Sequence, residues 1–167
     1  IRVAFCFPDT YEIGMSNVGM RILYGIMNNM EGVWCERAFA PWGDMEEEMR
    51  KHHLPLWTLE SHDPLEEFDV IAFSLGYEMA YSNVLNVLEL GNIPLKSCDR
   101  GDSLKHLVIA GGTSVYNPEP MADFLDLCIE GEGEDVDVEL LECYRSAKRR
   151  GLSRHAFLLE AAKIPGI

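Results

Sequence analysis

The residues of this chain able to do chemistry are five histidines, five cysteines and a surplus of carboxylates, and their spacing rules most of them out. Cys6, Cys35, Cys98, Cys128 and Cys143 are scattered, odd in number and form no C-x-x-C pair. That argues for a reducing, cytoplasmic setting and against a disulfide framework or a thiolate zinc site. Cys6 and Cys128 lie inside apolar runs, where a free thiol behaves as a small buried hydrophobe. His52 and His53 sit in a charged segment, and His62, His106 and His155 share no ligand spacing with them, so no protein-held metal is expected. What remains is a set of four glycine-containing loops: "PDTYEIG" (8–14), "SLGYE" (74–78), "GGTSVYNPEP" (111–120) and "EGEGE" (130–134).

Each of these loops follows a short apolar run that reads as a buried strand: 2–7, 69–75, 106–112 and the segment from 126. A further strand is expected at 33–40. Helical patterns fill the intervals. One carries Val18, Ile22, Leu23, Ile26, Met27 and Met30 at helical spacing after an N-cap at Ser16 or Asn17. Others cover 43–53 and 78–91, the second closed by Gly91. The next opens on Glu132, Glu134, Asp135 and Asp137 and ends on Lys148, Arg149 and Arg150, the charge order that a helix dipole favours. A last helix runs from a Ser153 cap through Lys163. The Met-rich first helix reads as core. Residues 54–68, with Pro55 and Pro64, break the alternation and read as an extra strand or an excursion. About five strand–helix alternations with buried apolar strands predict a parallel sheet covered by helices on both faces, with right-handed crossovers.

In such a sheet ligands bind outside the carboxyl ends of the strands, where the four loops converge. The loops do not match the common nucleotide signatures: "GMSNVG" (14–19) falls one glycine short of G-x-G-x-x-G, and no P-loop is present. The acidic Asp9 and Glu12 also disfavour a phosphate, which leaves a flavin or nucleotide site as the weakest reading. Acidic residues outnumber basic ones 28 to 14, for a net charge of −14, so nucleic acid is not an expected partner. No apolar run approaches the roughly 20 residues that span a bilayer, and no signal peptide is read at the start.

Asp9, Tyr11 and Gly14 form a D-x-Y-x-x-G motif that resembles the D-x-H-x-x-G loop of cobalamin-binding domains. Ser74-Leu75 and Gly111-Gly112 fall where that family places its serine–leucine and glycine–glycine signatures. The wider pattern, from "RVAFCFPDTYEIGMSNVGMRILYGIMN" through "FAPWGDME", "DVIAFSLGYEMAYSNVLNVLEL" and "VIAGGTSVYNPEPMADFLD" to "EGEGE", resembles the N-terminal cobalamin-binding-like domain of radical S-adenosylmethionine iron–sulfur proteins. The resemblance covers nearly the whole chain. It implies a three-layer α/β/α, flavodoxin-like (Rossmann-like) domain on a five-stranded parallel sheet over 1–163 and, at 164–167, the start of a linker to a C-terminal barrel with a C-x-x-x-C-x-x-C motif. That barrel would hold S-adenosylmethionine and a 4Fe-4S cluster, act on a substrate the sequence does not name, and be this domain's own partner. The domain itself would lack catalysis.

The family's histidine ligates cobalt from below. A phenol is no substitute at neutral pH, so cobalamin is implied without a histidine lower ligand. The cofactor-binding residues carried over are Asp9, Thr10, Tyr11, Gly14, Ser74, Leu75, Gly76, Tyr77, Gly111, Gly112, Thr113, Gly131, Glu132 and Gly133. Each has a structural reading beside it: Asp9 as a cap, Tyr11 and Tyr77 as half-buried aromatics, the glycines as turns, "EGEGE" as a helix start. The rival function is a domain that has kept the fold, lost the cofactor and now docks a substrate or partner protein.

Overall fold

The buried apolar runs become five parallel strands in a computed structural model that describes residues 1–167. They are β1 (Arg2–Phe7), β2 (Trp34–Phe39), β3 (Val70–Ser74), β4 (Leu107–Gly111) and β5 (Leu127–Ile129), in the order β2-β1-β3-β4-β5. This is the flavodoxin-like order, whose direction reverses between β1 and β3. The helices are α1 (Tyr11–Gly14), α2 (Val18–Asn29), α3 (Gly43–His52), α4 (Tyr81–Leu90), α5 (Gly133–Arg150) and α6 (Arg154–Ala161).

Because successive strand residues face opposite sides, the runs feed two cores. Val3, Phe5, Phe7, Val70, Ala72, Leu107 and Ile109 meet α2, α5 and α6 on one face. Ala4, Cys6, Ile71, Phe73, Val108 and Ala110 meet α3 and α4 on the other. The excursion at 54–68 is a tight loop with one antiparallel bridge, Trp57 to Pro64. It buries Leu56, Leu65 and Phe68 in the second core, and its Thr58 hydroxyl donates to the buried carboxylate of Glu36.

Asn17, not Ser16, caps α2: its Oδ1 accepts from the Met20 amide at 2.8 Å. Asn17→Ala should cost about 1 kcal/mol, read as a fall of roughly 2–4 °C in the thermal midpoint. Gly91 closes α4 as its C-cap, at φ −82°, and the left-handed residue that follows is Asn92 at φ 57°. One expectation is corrected. The loop after β1 contains a turn of helix, α1, that sequence periodicity cannot register in four residues. The tail at 164–167 packs back, with the Gly166 carbonyl accepting from the Glu130 amide at 2.7 Å.

Candidate functional site

The sheet face beneath α2 and α5 tapers toward its carboxyl end. On β3 the residues facing that side run Val70, Ala72, Ser74, and β4 contributes Ile109 and then Gly111. Opposite them stand Gly19 of α2 and Gly133 at the start of α5. Small residues on both walls leave a cavity of about 190 Å³ between sheet and helices. It runs from the glycine loops down to Val3 and Val70, a depth of about 13 Å at the rise of a strand. An apolar protein cavity of about 150 Å³ accepts a benzene ring, so this one is large enough for an aromatic group. Its walls are apolar apart from Ser74, the backbone of the glycine loops and one carboxyl, Asp137.

The two glycines after β4 serve different ends. A Cβ on Gly111 would meet Ile129 at an ordinary 3.6 Å, so nothing but the channel needs it bare. Gly112 has φ +111°, and a Cβ there would lie 2.4 Å from the Leu75 carbonyl oxygen. That oxygen accepts from the Ser114 amide, and the Leu75 amide donates to Gly111 O at 2.7 Å. Thr113 Oγ1 donates to Gly76 O at 2.8 Å. Leu75, Gly76, Gly112 and Thr113 thus weld the β3 and β4 loops into one rim. Gly14 has a packing role, since its missing Cβ lets the ring of Phe39 lie against α1.

Asp9 pairs across the rim with Tyr77, whose hydroxyl donates to Asp9 Oδ2 at 2.6 Å. That hydrogen bond to the carboxylate, with some burial, raises the Tyr77 pKa and keeps the phenol protonated. Tyr11, the residue in the histidine's place, turns away and sets its ring edge-on to Phe39 with centroids 5.5 Å apart. Asp9 also accepts from the Thr10 amide at 2.8 Å, while Thr10 Oγ1 is buried without a partner. Gly131 and Gly133 line the channel mouth and Glu132 stands exposed between them. The site residues read from the sequence therefore gather at one edge. Of them, Ser74, Gly111, Gly112, Gly131 and Gly133 line the channel, Gly14 and Tyr11 lie toward β2, and Leu75 is buried in the core on the other face of the sheet.

Asp137, Gly19 and Ala72 were not singled out. Asp137 reads in sequence as one more acidic residue at the start of a helix, but its side chain stands half-buried in the channel wall. Burial, then the nearby charge of Glu134, pushes its carboxyl up to about 7. The taper of small residues on one strand face was the available signal, since Ala72 and Ser74 alternate with Ile71 and Phe73. No group of acidic, histidine and cysteine side chains is arranged to hold a metal, and no helix is long and apolar enough to cross a membrane.

Residues 19–167 match the family described as the N-terminal region of radical SAM proteins. The chain is also similar to an uncharacterized protein of Methanocaldococcus jannaschii, at 26% identity over 141 residues, which make up 83% of this chain and 26% of that protein. The chain thus spans about a quarter of the length of this relative.

Proposed function

This chain belongs to the family of N-terminal regions of radical SAM proteins, and from that premise we propose that it is a cobalamin-binding-like module, without catalysis of its own. The observation that carries the reading is the channel opening at Ser74 and Gly111, between the sheet and α2 and α5. Its apolar walls and aromatic-sized volume suit the nucleotide tail of a corrinoid, and the rim formed by Asp9, Tyr77, Thr113 and Gly131 suits the edge of a flat ring. A bound corrinoid would supply cobalt chemistry, such as methyl transfer, to a reaction housed elsewhere in a longer protein. Ser74 and the glycine loops would admit the tail, and the Asp9–Tyr77 pair would shape the face presented to the ring. Tyr77 offers cobalt no anionic oxygen, because Asp9 holds it protonated, and Tyr11 sets its ring against Phe39. S-adenosylmethionine and a 4Fe-4S cluster belong, on this reading, to the barrel, which is also the module's partner. A flavin or nucleotide is disfavoured because Glu134 and Asp135 already occupy the first turn of α5, where a phosphate would seek a helix N-terminus.

Titration of the chain with hydroxocobalamin and methylcobalamin, followed by absorbance and calorimetry, tests this. One-to-one saturable binding is expected, with a base-off spectrum that Tyr11→Phe leaves unchanged. Gly111→Leu should fill the channel and weaken binding about tenfold or more while the melting temperature stays close to the parent's. Equal affinity in Gly111→Leu would remove the channel from the site.

The second reading, a docking module without cofactor, draws on a different feature. Met79 and Tyr116 on the same rim are 85% and 67% exposed, an apolar fringe of the kind that protein partners cover. Failure of both cobalamins to bind at high concentration would favour it.

A further inference from the structure

The channel holds one ionisable side chain, and nothing in the chain partners it. Asp137 lies one helical turn after Gly133, and a Cβ on that glycine would be 3.4 Å from Asp137 Oδ2. The carboxyl shares the channel with Leu23 of α2, Gly133 and Leu140 of α5 and the sheet residues Ala72 and Ile109. None of these can donate or accept a side-chain hydrogen bond. A carboxyl left unpartnered against apolar walls is a cost that a domain has no structural reason to carry. The titratable groups near it are Glu134 on its own helix and the thiol of Cys35 on β2, which burial keeps protonated and uncharged. Burial, then the Glu134 charge, disfavours a carboxylate at this point, so the acid form is the one present on the acid side of neutrality.

Resting on the reading that this channel takes a ligand, we infer that Asp137 sets its specificity, selecting an occupant whose buried aromatic ring carries a hydrogen-bond-accepting nitrogen. The neutral carboxyl donates its proton to that nitrogen and the apolar walls hold the ring. A ring of the same shape without the nitrogen gains the walls and leaves the carboxyl unpaired. Unpaired polar groups are how a site built around hydrogen bonds rejects an isostere. Asp137 is a specificity-determining residue, not a catalytic one, and its effect falls on affinity alone. Raising the pH through the carboxyl's titration removes the donor and should weaken the nitrogen ligand selectively.

Two small probes separate the outcomes: 1-methylbenzimidazole, which has one acceptor nitrogen and no N–H, and 1-methylindole, its isostere without the acceptor. Binding to the purified chain is measured by ligand-observed NMR on either side of neutrality. The expected result is a preference of about tenfold for 1-methylbenzimidazole on the acid side, shrinking on the alkaline side. Asp137→Leu should abolish the preference with 1-methylindole binding retained, and Asp137→Asn, whose amide still donates, should keep the preference without its pH dependence. Equal binding of the two probes to the parent chain, or an unchanged preference in Asp137→Leu, overturns this role and leaves the channel as a ligand site. Binding of neither probe overturns the channel reading and the inference together.

Discussion

Replacing Asp126 by Asn is expected to destabilise the domain by about 3–5 kcal/mol, the range for a buried ion pair that loses one partner. Asp126 Oδ2 lies 2.9 Å from both Arg100 Nη1 and Arg154 Nη1, and the three side chains are almost fully buried. The same oxygen accepts from the Val108 amide at 2.7 Å, while the Asp126 amide donates to the Val108 carbonyl. One carboxylate therefore bridges two guanidinium groups, offsetting one of their two charges, and starts the pairing of β4 with β5. Burial already depresses the pKa of Arg100, with Asp126 opposing that effect. The carbonyls of Pro94, Leu95 and Phe124 hold Arg100, and those of Ser103 and Lys105 hold Arg154, but carbonyls bring no net charge. Thermal melting should register a fall of roughly 10 °C. The double variant Asp126→Asn/Arg100→Met should recover part of the loss, because one of the stranded charges has gone. A loss below about 1 kcal/mol in the single variant would mean that the carbonyls suffice.

Gly112→Ala should cost comparably, about 2–5 kcal/mol, where Gly111→Ala costs little. At φ +111° and ψ 177° Gly112 occupies a backbone region essentially confined to glycine. The added methyl would also meet the Leu75 carbonyl at 2.4 Å, adding an overpacking penalty of about 1–3 kcal/mol. Shifting that carbonyl breaks the Ser114 contact and loosens the β3–β4 rim, so stability and any cobalamin affinity should fall together. Chemical denaturation of the two alanine variants, side by side, checks this. Similar midpoints would show that the rim yields to a methyl group and that Gly112 is not fixed by its backbone.

The layers were readable from the sequence because each strand is a short apolar run and each crossover a periodic helix. The rim was readable too: Asp9, Ser74, Gly111 and Gly112 sit where strands end. The pairings were not. Asp9 reads as a cap, yet its carboxylate accepts from Tyr77, a partner that arrives from a segment 68 residues away. Arg100 sits in "SCDRGD", a polar segment without an apolar period, and its partner Asp126 stands just before β5. Asp137 looked like one more charge at a helix start, until α5 is laid against the sheet and that face turns inward.

Charge is distributed unevenly along the strands. At their amino ends Arg2 bonds Asp63, Lys148 bonds Asp69, and Asp126 holds its two arginines. At their carboxyl ends Asp9, Glu12, Glu132 and Glu134 take part in no ion pair. Local unfolding follows such differences, since it begins where few contacts must be broken. Amide exchange should therefore be graded along the strand axis, slow near Val108 and faster across the glycine loops. The domain can breathe at its upper edge without opening its base, and a ligand could enter and leave while the fold below stays closed.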